Sequence, residues 1–94
     1  MLQASPEDNF LRHALALEYI KAGNDVEAEK IFKTILAQFP DYIGSYYHLA
    51  KLLERNGNTQ EAITWYELGM RTAKKLNDTH AYNELQSAYE DLVY

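Results

Sequence analysis

The spacing of apolar positions along the chain predicts five helices and no strand. Between Phe10 and Ala22, the residues Phe10, Leu11, Ala14, Leu15, Ala16 and Leu17 spread too broadly for one stripe. A first helix built that way should touch neighbours on two sides. The second helix carries Ala28, Ile31, Phe32, Ile35 and Leu36 at helical spacing, a single apolar face. The third, Tyr42 to Arg55, again has apolar residues on more than one side, among them Tyr46, Leu49, Leu52 and Leu53. The fourth holds Ala62, Ile63, Trp65, Tyr66, Leu68 and Met70. The fifth, from about Thr79 to Leu92, puts Tyr82, Leu85, Ala88, Tyr89 and Leu92 on one face. Nothing alternates with period two over a useful length. The connections are short, so consecutive helices should lie antiparallel.

Turn and cap residues punctuate the same pattern. Ser5-Pro6-Glu7-Asp8 reads as a helix start, with Ser5 as N-cap, Pro6 in the first helical position and acids on the positive end of the dipole. Gly23 and Asn56-Gly57 read as helix ends, where a left-handed residue favours glycine. Asn24 with Glu27, and Asn58 with Glu61, have the spacing of capping boxes. Phe39-Pro40-Asp41 and Leu76-Asn77-Asp78 are the remaining breaks.

Shifted by thirty-four residues, the chain matches itself. Pro6 meets Pro40, Leu15 meets Leu49, and Ala16 meets Ala50. Gly23-Asn24 meets Gly57-Asn58, Glu27-Ala28 meets Glu61-Ala62, and Phe32 meets Tyr66. A period of this length built from helix–turn–helix units marks a solenoid. In one unit the constrained places hold Tyr46, Leu49, Ala50, Leu53, Ala62 and Tyr66. In the other they hold Arg12, Leu15, Ala16, Tyr19, Ala28, Phe32 and Pro40. On these residues the chain resembles the tetratricopeptide repeat family, whose unit follows W-x2-L-G-x2-Y, then A-x3-F, then P. Arg12 and Lys74 depart from that pattern; a polar residue at position 12 suits a helix with no repeat before it. The fifth helix fits after a two-residue insertion, with Tyr82, Leu85, Gln86 and Tyr89 as the first helix of a third unit. The resemblance implies an all-α, right-handed α-α superhelix over residues 1–94: a first repeat at 5–38, a second at 39–72 and a capping helix at 78–93.

Composition narrows the function. Ninety-four residues make one domain, and the formal net charge of -5 disfavours nucleic acid. No apolar run reaches the length of a membrane span. The absence of cysteine rules out disulfides and thiolate metal sites and suits a reducing compartment, and the start shows no signal peptide, so a cytoplasmic protein is expected. No phosphate-binding glycine loop and no H-E-x-x-H occurs, and the sequence implies no catalysis, no cofactor and no metal. A metal-dependent or hydrolytic activity is the minor alternative, kept because the three histidines could share one face.

The resemblance further implies that the first helix of each unit lines a concave groove for a peptide or helical segment of a partner protein. The groove set is then Phe10, His13, Leu17, Tyr47, His48, Lys51, Arg55 and Glu84, with Lys21, Asn83, Ser87 and Asp91 beside them. Phe10, Leu17 and Tyr47 read equally as packing residues, since aromatic and aliphatic stripes at helical spacing usually belong to a core. Some members of the family hold a partner's terminal carboxylate with Lys, Asn and Arg. The corresponding places here hold His13, Leu17, His48, His80 and Glu84, so no such clamp is expected. Helix spacings near 10 Å argue against the histidines meeting on a metal. Two and a half repeats are few for a solenoid, which makes a homodimer the alternative reading.

Overall fold

Five helices follow one another without a strand over residues 8–94, the part of the chain that the computed structural model describes. They are α1 (Asn9–Lys21), α2 (Asp25–Gln38), α3 (Gly44–Arg55), α4 (Thr59–Lys75) and α5 (Thr79–Val93). α2 packs against both α1 and α3, and α4 against both α3 and α5. Hence α1, α3 and α5 form one layer and α2 and α4 the other. The shortest dimension, 18 Å, is that of two helix layers.

Local chemistry explains where each helix begins and ends. The expected start at Ser5-Pro6 lies outside the described residues; within them, Asp8 caps α1 by accepting from the Leu11 N–H at 3.2 Å. Asp78 caps α5 in the same way through Ala81 at 3.0 Å. Asn24 reaches the Glu27 N–H only at 3.5 Å, a weak cap. The second expected capping box does not form. Asn58 makes no side-chain cap bond, and the Glu61 carboxylate is drawn instead to Lys33 at 2.6 Å and Trp65 at 3.4 Å. α3 starts two residues later than the spacing predicts, after a run of tight turns through Tyr42 and Ile43.

Three turns share one geometry. Gly23, Gly57 and Asn77 have φ of +80°, +84° and +58°. After each, the next amide bonds five residues back: Asn24 to Tyr19, Asn58 to Leu53 and Asp78 to Ala73, all at 2.8 Å. These are Schellman motifs, which close the helix end and reverse the chain. Asn77 is the non-glycine residue that tolerates this conformation best.

The internal repeat is visible as burial. Ala16 and Ala50, Ala28 and Ala62, and Phe32 and Tyr66 are pairs thirty-four residues apart, and every member is fully buried. Small side chains at the first two pairs let helices approach; the aromatic rings fill the space left between them. Ile35 and Gly69 continue the series, both buried. A Cβ on Gly69 would lie 2.8 Å from Tyr46 Cβ and 3.0 Å from Leu85 Cδ1, so α4 is pressed against α3 and α5 at this point. The buried hydroxyls are satisfied. Tyr46 donates to the Pro40 carbonyl at 2.6 Å and Tyr66 to the Glu54 carboxylate at 2.9 Å. Burial, then the Glu54 hydrogen bond, pushes the Tyr66 phenol far above its ordinary range.

The equivalence fails at the two ends. Leu49 is completely buried, but its counterpart Leu15 is 48% exposed, because within the described residues no helix precedes α1. At the other end, Gln86 of α5 stands where α1 and α3 have Ala16 and Ala50, and it remains half-buried. Tyr82 and Tyr89 are also only half-buried there.

Gly69→Ala should destabilise the protein by about 1–3 kcal/mol in urea unfolding, because its new methyl group meets Tyr46 and Leu85. Tyr66→Phe, which removes a buried hydrogen bond to a carboxylate, should cost about 1–2 kcal/mol by the same measurement. An unchanged midpoint for either variant would contradict the packing described.

Candidate partner-binding site

The inward stripes of α3 and α5 decide what points into the concave layer. Leu49, Leu52 and Leu53 on α3 and Leu85 and Ala88 on α5 are buried. The residues one turn apart on the other side, Tyr47 and Lys51 on α3, therefore face outward, as do His80, Asn83, Glu84, Ser87 and Asp91 on α5. Together with the edge of Ala88 they line one open cleft of about 410 Å³ between the two helices. Its charges are mixed. Lys51 lies 3.9 Å from Glu54, a loose pair that leaves the ammonium in solvent, and His80 Nε2 lies 3.5 Å from Glu84. The cleft thus offers a phenol, one ammonium, two carboxylates and several neutral hydrogen-bonding groups, a surface suited to polar and charged side chains rather than to an apolar ligand.

Next to this cleft sits a cluster of aromatic and imidazole rings. His13 reaches from α1 toward α3, where its Nδ1 and Ser45 Oγ are hydrogen-bonded at 2.9 Å. The His13 and His48 rings lie 5.2 Å apart, and Phe32 meets His13 edge-on at 5.4 Å. Tyr42 flanks His13 and Tyr47 flanks His48. Burial lowers the pKa of both imidazoles. For His13 the neighbouring His48 lowers it further, while for His48 the Glu84 carboxylate acts in the opposite direction.

The eight groove residues expected from the sequence are therefore divided. Tyr47, Lys51 and Glu84 line the cleft together. His13 and His48 meet beside it. The helix spacing suggested that they would stay apart, but the two side chains reach across the gap between α1 and α3. Leu17 and Tyr47 are both half-buried against the core, and of the two Tyr47 also borders the cleft. Phe10 is 73% exposed and lines none of this cleft. Arg55 is engaged elsewhere: its guanidinium holds both Asp25 oxygens at 2.7 Å, binding α3 to the start of α2. The same contact, more than any other, keeps the Asp25 carboxyl below the usual range. Ser45 was not singled out by its sequence, since position 11, its counterpart one repeat earlier, is leucine. Among the described residues no three His, Asp or Glu side chains are placed to hold a metal ion, and no helix is long and apolar enough to cross a membrane.

Comparison with known proteins agrees with this architecture. The sequence profile described as tetratricopeptide repeat matches residues 19–89. A tetratricopeptide repeat domain protein from Salinibacter ruber is 39% identical. Its solution NMR structure superposes with a TM-score of 0.90, covering 95% of this chain and 90% of that one. The crystal structure of a tetratricopeptide repeat domain protein from the same organism gives 0.86 at 39% identity, covering 90% and 94%. Interferon-induced protein with tetratricopeptide repeats 3 of Mus musculus is 23% identical over 92 residues, 98% of this chain. The chain spans about a fifth (22%) of that protein's length. With its thirty-four-residue register, its paired buried alanines and these matches, the chain belongs to the tetratricopeptide repeat family.

Proposed function

We propose that the cleft between α3 and α5 binds a short segment of a partner protein without chemical change. Domains of this family generally mediate protein–protein interaction. The observation that carries the reading is the convergence of Tyr47, Lys51 and Glu84 on one open cleft, with His80, Asn83, Ser87 and Asp91 completing its walls. An extended segment bearing both a carboxylate and a cation finds complements on its two sides: Lys51 on α3, and Glu84 and Asp91 on α5. Tyr47 supplies the rigid aromatic contact that dominates many such interfaces. His48 lies beside this surface, whereas Arg55, Leu17 and His13 hold the scaffold and Phe10 lies outside the cleft. Catalysis has no place in this reading. Ser45 is the serine that a histidine could activate, but it is completely buried, so no substrate carbonyl reaches its oxygen.

The test is a displayed peptide library panned on the protein. Peptides recovered should lose at least roughly tenfold in affinity, about 1.4 kcal/mol, against Tyr47→Ala with Lys51→Ala. Binding that the double substitution leaves intact would remove the cleft from consideration.

A second reading, self-association, is favoured by the outer face of α1. Leu11 and Leu15 are exposed there beside Ile31, whereas the counterpart of Leu15 is fully buried one repeat later. Sedimentation over a concentration series should then show mass rising with concentration, and Leu15→Glu should abolish the rise. A monomer throughout the series would exclude this reading.

A further inference from the structure

The two junctions between successive units are chemically unlike. Where α4 meets α5, the centre of the contact is apolar and tight, since Gly69, Tyr46 and Leu85 leave no room for a methyl group, and the polar contacts that cross it, Tyr89 donating to Glu67 and Lys74 over the Tyr82 ring, involve no histidine. Where the α1–α2 unit meets α3, apolar contacts through Phe32 and Leu36 are joined by ionisable groups. Arg55 holds Asp25, and Lys33 reaches from α2 to Glu61 of α4. Beside these, α1 is fastened to α3 by the hydrogen bond between His13 and the buried Ser45 and by the contact of the two imidazoles. We propose that the His13–Ser45–His48 cluster is a pH-sensitive joint, which holds the α1–α2 unit firmly against α3 while both rings are neutral and loosens as the pair takes up protons.

The surroundings of the pair set the direction. From α2 it faces Phe32, which brings no charge, and the rings of Tyr42 and Tyr47 flank the pair. Lys51, one turn along α3, adds a cation. From α5 the facing anion is Glu84, itself shared with His80. One proton on His48 therefore finds a partial partner. A second, on His13, would stand about one ring contact away from it, half-buried and, among the described residues, with no carboxylate acting on it. Because the fold lowers the affinity of both rings for protons, the unfolded or opened segment takes them up first, near pH 6.5. The stability that the neutral cluster contributes is complete above that pH and is lost as pH falls through it toward the lower folded values.

Since α1 and α3 share the concave layer, loosening the joint would also alter the surface beside the cleft. That effect on a bound segment rests on the proposed binding, whereas the joint itself needs no partner. Hydrogen exchange of the free protein, corrected for intrinsic rates, reads it directly alongside imidazole NMR titration. Between pH 7.5 and 5.0, protection in α1 and α2 should fall relative to that in α4 and α5. Both imidazoles should titrate below 6.5. His13→Phe and His48→Gln should each reduce the differential loss, since either removes one of the two buried imidazoles; if His13→Phe fails to fold, His48→Gln carries the test alone. Loss of protection spread evenly over all five helices, imidazoles titrating at or above 6.5, or a pH response unchanged in His48→Gln would overturn the joint while leaving the cleft to be judged by its peptides.

Discussion

At Gly69 one helix is pressed against two others, and the candidate site depends on it. α4 lies against two helices at once, and the space at position 69 is already taken by Tyr46 from α3 and Leu85 from α5. Three helices can converge there only because one of them brings no side chain. The paired alanines, Ala16 with Ala28 and Ala50 with Ala62, play a milder version of the same part in each hairpin. With α4 seated this deeply, α3 and α5 come side by side, and the cleft opens between their outward residues. The functional surface is thus a consequence of packing on the opposite side of the same helices.

Much of this was legible before any coordinates. Helix number, the repeat register and the buried pairs follow from the spacing of apolar residues and from glycines at turns, because these reflect short-range sterics and one repeated contact. What escaped prediction involved competition between partners. Asn58 and Glu61 have capping-box spacing, yet Lys33, distant in sequence, takes the carboxylate. Leu15 and Leu49 are the same residue in the same register and differ completely in exposure, since burial depends on what lies across from a helix rather than on the helix itself.

The site was legible to a similar degree. Tyr47, Lys51 and Glu84 share a cleft because periodicity places outward positions reliably once the inward stripe is known. Arg55 satisfies the same periodicity but sits at a helix end, where Asp25 of the neighbouring hairpin is within reach. The contact of His13 with His48 could not be read from spacing along either helix, as it depends on two side chains extending across the gap between them. Ser45 carries no sequence signal at all: its burial and its hydrogen bond exist only in the assembled layer.

The unlike ends of the stack set different conditions for growth. On the side of α1, Leu15 presents an aliphatic surface, but Arg12 beside it is polar where the repeat pattern has a large aromatic. On the side of α5, Gln86 occupies the place that is alanine in α1 and α3. Lengthening such an array by duplication or by protein engineering would therefore require Arg12 to become apolar at the first end. At the second it would require Gln86 to shrink before the new helix could follow.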